Sequence, residues 1–213
     1  MLKTVEDIYN KLAIEKTIEK VKESNISPYT RKLYEECKSQ LPGITFEDFA
    51  ARISNWNPGK TLIGEKAQLS YLTQNKYPKI KKLAPSGKHC ISLHKIPNNF
   101  LIKNGKSNID GIKSFDAIND DGGKITFFIL KTVDIGMFSD NMGGGNQDNV
   151  SNELAFIIDK LCNNDFIFNN KPVDITIVIN GRSSKEIMTA CQKIVSNNTA
   201  LNTKITIATA ENL

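Results

Sequence analysis

The pattern of apolar and polar positions changes character partway along the chain. In residues 3–24, Val5, Ile8, Leu12, Ile14, Ile18 and Val21 recur at helical spacing with charges between them. Ser24 to Pro28 breaks that pattern, and Ser27 followed by Pro28 opens a second helix that runs to about Gln40. Pro42-Gly43 stops it. Thr45, with Asp48 three residues on, predicts a capped helix over residues 46–53. A turn at Trp56 to Lys60 follows, then a helix from Gly64 whose buried side is marked by Leu69 and Leu72.

Beyond residue 90 the period shortens to that of strands. Cys90 to Leu93 reads as a strand flanked by His89 and His94. Residues 109–118 and 124–132 read as a hairpin about the Asn119 to Gly123 turn, where Asp-Gly and Gly-Gly mark a reversal. The second of these strands is apolar on both faces, as a central strand covered by helices on each side is. A glycine-rich connection over residues 134–145 leads to a helix over 148–161, with Val150, Leu154, Ile157 and Leu161 on its core side. Residues 173–179 form a buried strand, 185–195 a helix and 204–209 a last strand. The order β-β-α-β-α-β predicts an α/β fold: an α/β/α sandwich on a central mixed sheet, with an N-terminal helical region. We expect one domain over 1–213, residues 1–63 packing on a core of 64–213.

Composition narrows the class. The chain has 213 residues, a net charge of +5 and three arginines among its 28 basic residues. A mild basic excess is compatible with a polyanionic partner. No apolar run approaches a membrane span, and the acidic N-terminus has no signal-like apolar region, so the expected location is the cytoplasm and no membrane partner is expected. Cys37, Cys90, Cys162 and Cys191 lie far apart, which predicts single buried thiols, neither a zinc site nor a disulfide framework.

Candidate chemistry gathers between Ser114 and Glu153. Asp116 lies on one hairpin strand, Lys131 ends the other, and the 147–153 segment begins the next helix. Phosphodiester hydrolysis needs a divalent cation on carboxylate oxygens and a positive group near the nucleophile or phosphate. Asp116 and Lys131 meet that demand in kind. Pairing about the 119–123 turn sets Asp116 level with Thr126, so bringing it to Lys131 requires twist or a bulge. Glu65, early in its helix, either complements the helix dipole or faces the site. The lysine-rich run 76–82 is a solvated face or a phosphate-contacting strip.

The series S-F-D (114–116), I-L-K-T (129–132), G-G-G-N-Q-D-N-V (143–150) and Glu153 resembles type II restriction endonucleases of the PD-(D/E)xK superfamily. The G-E-K helix start (64–66), the I-V-I-N-G strand end and the final I-A-T strand fit the same core, so the resemblance covers roughly residues 64–213. It implies a restriction-endonuclease-like core that cuts double-stranded DNA with Mg²⁺ and works as a homodimer. Asp116 then holds the metal, Lys131 orients water and stabilises the pentavalent phosphate, and Gln147, Asn149, Asn146 and Arg182 lie near DNA. Two positions depart from the pattern. Phe115 replaces the proline before Asp116, and Ile129 replaces the acid two residues before the lysine. The missing acid must come from a helix, with Glu153 the first candidate and Glu65 the second. Three other readings share some of these residues: a non-catalytic DNA-binding protein with a decayed nuclease core, a repair or junction nuclease, and a nucleotide binder using the glycine loop.

Overall fold

The computed structural model describes residues 4–12, 15, 31, 34–35, 38–40, 42–53, 60–133, 145–162, 164–197 and 203–213. Residues 5–12 are helical. They are opened by a reciprocal cap in which Thr4 Oγ1 accepts from the Asp7 amide and Asp7 Oδ2 from the Thr4 amide, each at 3.1 Å. Helix α1 spans Phe46–Ile53. Its start has the cap expected from Thr45 and Asp48: the Asp48 amide donates to Thr45 Oγ1 at 3.1 Å and the Thr45 amide to Asp48 Oδ2 at 3.4 Å. Helix α2 spans Lys60–Asn75, α3 Gly145–Leu161 and α4 Ser184–Ser196.

The strands are β1 (Lys81–Lys82), β2 (Ile91–Ile96), β3 (Asn99–Asn104), β4 (Ala117–Asp120), β5 (Ile125–Thr132), β6 (Ile167–Phe168), β7 (Lys171–Asn180) and β8 (Ile205–Ala208). The main sheet is mixed and runs β1-β4-β5-β7-β6, with β8 also on β7. β4 pairs β5 antiparallel, while β5–β7 and β7–β8 are parallel. β2 and β3 form a separate hairpin. Among the described residues no helix is long and apolar enough to cross a membrane.

Strand β5 explains the layering, because its side chains alternate between two cores. Ile125, Phe127 and Ile129 pack with Leu154, Ile157, Ile158 and Leu161 of α3 and with Ile187 and Cys191 of α4. Phe128 and Leu130 pack on the opposite side with Ile63, Ala67 and Leu72 of α2 and with Val5, Ile8 and Tyr9. Helices therefore cover both faces, as the two-faced apolar pattern of residues 124–132 requires. Both parallel connections, through α3 and through α4, lie on one face. Residues 5–12 pack on the same core as α2 and β5.

Several sequence expectations are corrected. Residues 109–116 are not a strand. Asp110-Gly111 turns the chain there, with Gly111 at φ 80° and the Ile112 amide bonded to the Ile109 carbonyl. The hairpin partner β3 carries less periodic signal than its neighbour and is an addition to the expected elements. His94 lies inside β2 and is buried, and burial lowers its pKa. Helix α2 begins four residues before Gly64, which puts Glu65 beyond the first turn, where the helix dipole is weak. Its buried stripe is Ile63, Ala67, Gln68, Tyr71 and Leu72; Leu69 is only partly buried. Cys90, Cys162 and Cys191 are free and buried. Trp56, the connection over 134–144 and most of the expected helix at 28–40 lie outside the described residues.

Candidate active site at the end of strand β5

The turn between β4 and β5 sets the register that brings the candidate residues together. Asp121 Oδ1 accepts from the amides of Gly123 and Lys124 at 3.0 and 2.7 Å, and the Asp121 amide donates to the Lys124 carbonyl at 3.2 Å. This closes the reversal at Asp121 to Lys124 and pairs Asp120 with Ile125 and Ala117 with Phe128. Asn119, not Asp116, therefore stands opposite Thr126. The expected register is displaced by three residues, and the displacement carries Asp116 toward Lys131.

The ladder is irregular at Asp116. Its amide donates to the Phe128 carbonyl at 2.9 Å, and its own carbonyl accepts from the Leu83 amide at 2.9 Å. The Leu130 amide turns to the Asp116 side chain, donating to Oδ2 at 2.7 Å. One carboxylate oxygen is thus fixed against the residue immediately before Lys131. Phe115 takes up the space beside it, stacked on Phe127 with ring centroids 4.8 Å apart. A buried aromatic anchor holds the approach to Asp116 where proline was expected.

Lys131 follows Phe127 and Ile129 on the face toward α3. Its Nζ lies 3.0 Å from Glu153 Oε1, and the same oxygen lies 3.4 Å from Lys113 Nζ. Asn149, one turn earlier on α3, is exposed. Glu65 arrives from the opposite layer. Gly64 permits this, since a Cβ there would lie 2.1 Å from Thr132 Oγ1. The absence of that atom seats α2 on the last residue of β5 and delivers Glu65 to the strand end.

Electrostatics link the four groups. Burial pushes the Asp116 carboxyl up to about 6; the Leu130 amide and Lys131 oppose the rise, and the charges of Glu65 and Glu153 add to it. Burial also raises Glu65, against the pull of Lys82, Lys131 and Lys113. Asp116, Glu65, Glu153 and Lys131 therefore share one neighbourhood. Lys82 and Lys113 rim it, and neither stood among the candidate site residues. The Lys-Lys pair within residues 76–82 was the only sequence signal for Lys82.

A buried polar network fixes the backbone beneath Lys131. Gln68 Nε2 donates to the carbonyls of Lys131 (2.8 Å) and Val178 (3.2 Å) and to Asn180 Oδ1 (3.0 Å). Asn180 Nδ2 donates to Glu211 Oε2 at 2.7 Å, and Glu211 Oε1 accepts the Val5 amide at 2.9 Å. A glutamine in the apolar stripe of α2 was the available signal for Gln68; Asn180 and Glu211 had none. Gly181, at φ 123°, completes this end, because a Cβ would lie 1.6 Å from the Val133 carbonyl oxygen. Arg182 is exposed in the turn after β7. The side chains of Asn146 and Gln147 lie outside the described residues.

The donors at this end of the sheet are oxygens, the kind a hard cation prefers. Among the described residues no group of three or more His, Cys, Asp or Glu side chains is placed to hold a metal ion. Magnesium needs less, because it keeps several waters and takes one or two carboxylates with substrate phosphate. Asp116 and Glu65 are partly buried oxygen donors, and the charge of Glu65 raises the cost of ionising Asp116. Glu153 is occupied by two lysines. No family model matches this chain, and neither a curated protein nor a solved structure matches it.

Proposed function

We propose that this protein is a Mg²⁺-dependent endonuclease with a restriction-endonuclease-like core, hydrolysing phosphodiester bonds in double-stranded DNA as a homodimer. The observation that carries this reading is the 3.0 Å pair of Lys131 and Glu153 next to Asp116, whose Oδ2 is bonded to the Leu130 amide, at the end of a parallel strand pair, with Glu65 near enough for its charge to act on Asp116. Ligand sites in open α/β sheets favour such strand ends.

On this reading Asp116 and Glu65 hold the cation, and Glu153 holds Lys131. A bound magnesium ion supplies Lewis-acid polarisation of the phosphate and a lowered pKa for water. The Leu130 amide holds Asp116 through Oδ2, and Oδ1 is the oxygen that would meet the cation. The Lys131 ammonium, at 14% side-chain exposure, is a fixed positive charge where the pentavalent phosphate gathers negative charge. Gln68 fixes its carbonyl and Glu153 its ammonium, so both ends of the residue are set before substrate arrives. The absence of an acid at Ile129 fits this division, since that side chain is needed in the core against α3.

The test is incubation with unmethylated duplex DNA, with Mg²⁺ and with chelator. Discrete Mg²⁺-dependent fragments are expected, lost in Asp116→Ala and Lys131→Ala with folding intact by circular dichroism. Full cleavage by either variant would sink the assignment. The occupation of Glu153 by two lysines favours a second reading, a DNA-binding protein whose nuclease centre has decayed. Mobility shift without cutting is its outcome.

A further inference from the structure

The positive charge of this chain is concentrated in one acid-free stretch. Residues 66–109 contain nine lysines and no Asp or Glu, so the rest of the chain carries −4 against the total of +5. All nine of these lysines are exposed. Among the described residues none forms an ion pair. The five lysines between residues 110 and 171 behave differently: Lys113, Lys124, Lys131, Lys160 and Lys171 each have a carboxylate within 4 Å. Unpaired like charges on one segment repel one another, and the field they make favours a polyanion.

Placement makes this more than composition. β1 carries Lys81 and Lys82 along the edge of the main sheet, where they pair with Ile118 and Ala117, next to Asp116. The next amide along, that of Leu83, donates to the Asp116 carbonyl. The β2–β3 hairpin, with Lys95 and Lys103, is tied to the same place, because the Phe115 amide donates to the Ile91 carbonyl at 2.9 Å. The hairpin is also braced. Asn108 bonds both the amide and the carbonyl of Lys95, at 2.8 and 2.9 Å, and Ser107 Oγ donates to the Leu93 carbonyl at 2.6 Å. Ile91, Leu93 and Ile102 anchor it in the core.

We infer that β1 and the β2–β3 hairpin form a phosphate-gripping arm that holds the backbone of duplex DNA running past the Asp116 site. The inference rests on the nuclease reading for the identity of the polyanion. Neutralising lysines on the arm releases fewer counterions, so the salt dependence of binding falls by about 0.9 for each phosphate the arm no longer neutralises.

The experiment measures binding of a fluorescent random-sequence duplex by anisotropy, without metal, over a series of salt concentrations. The full chain is compared with Lys81→Gln/Lys95→Gln/Lys103→Gln and with a control outside the arm, Lys185→Gln/Lys193→Gln/Lys204→Gln. Thermal unfolding verifies that each is folded. The arm variant is expected to lose up to about 2.7 from the slope of log affinity against log salt, and the control to keep its slope. Equal slopes in all three proteins overturn the proposal. So does an absence of DNA binding by the full chain, or binding only to phosphatidylserine vesicles. A full chain that binds through the arm but never cuts leaves the arm standing and removes the nuclease reading. Cutting with an unchanged slope in the arm variant does the reverse.

Discussion

Lys131 Nζ lies 3.0 Å from Glu153 Oε1, and both side chains are largely withdrawn from water, at 14% and 19% exposure. A lysine so held is aimed, since its long stem would otherwise sample many rotamers. Glu153→Gln keeps the shape and removes the charge. If Glu153 positions Lys131, cleavage should fall about 10- to 100-fold in kcat with little change in KM, and Glu153→Asp should restore part of it. Single-turnover kinetics with saturating DNA measures this, and an unchanged kcat excludes the role.

Asp116 makes stability depend on pH with a definite sign. Its folded-state pKa, about 6, lies above its ordinary value of 3.8. The unfolded chain releases this proton first as pH rises, so the contribution of this group to stability is greatest below about 4 and declines as pH rises toward 6. The shift corresponds to about 3 kcal/mol at neutral pH. Asp116→Asn should be more stable than the parent chain at pH 7.5, with the gap closing below pH 4. Urea unfolding at several pH values, in chelator, reads the difference; a variant less stable at pH 7.5 contradicts it.

Metal binding should follow the same titration in reverse. A protonated carboxyl does not ligate, so Mg²⁺ affinity by calorimetry should weaken about tenfold per pH unit below 6 and level off above it. Glu65→Gln should reduce that affinity by at least about tenfold, while Glu153→Gln should reduce it less. Equal losses in the two variants would count against Glu65 as the ligand.

The close approach of elements around the site rests on two glycines. Gly64→Ala would place a methyl 2.1 Å from Thr132 Oγ1, and Gly181→Ala would place one 1.6 Å from the Val133 carbonyl oxygen at φ 123°. Each should cost about 2–4 kcal/mol by urea unfolding, with Gly181→Ala the worse because backbone cannot step aside as a side chain can. Losses below about 0.5 kcal/mol, the range of an ordinary surface substitution, would show that these approaches are looser than the distances imply.

Glu211 joins the two ends of the chain beneath the site. Glu211→Ala leaves the Val5 amide and Asn180 Nδ2 without their acceptor, at about 1–3 kcal/mol for each buried donor. The expected result is a lower urea midpoint, with Glu211→Gln less affected because it keeps one acceptor oxygen. Equal midpoints for Glu211→Ala and the parent chain would show that the clasp contributes nothing.

Much of the architecture was legible from period alone. The two-faced run over residues 124–132 announced a central strand, the spacing of Leu154, Ile157 and Leu161 a core-packed helix, and Thr45 with Asp48 a cap. These follow from local rules: side-chain alternation, helical repeat, and a hydroxyl three residues from an acid. Residue types at the site were legible in the same way, since an acid and a lysine at the mouth of apolar strands stand out. Their assembly was not. Asp121 closed the turn three residues from the expected register, and Leu130 gave its amide to Asp116, so strand pairing decided which rung faces Lys131. Gly64 brought Glu65 over the strand end, and Gln68 and Glu211 joined segments distant in the chain. Sequence determines what each segment buries; only the tertiary structure decides which polar groups are then left facing one another, because that depends on contacts between residues far apart along the chain.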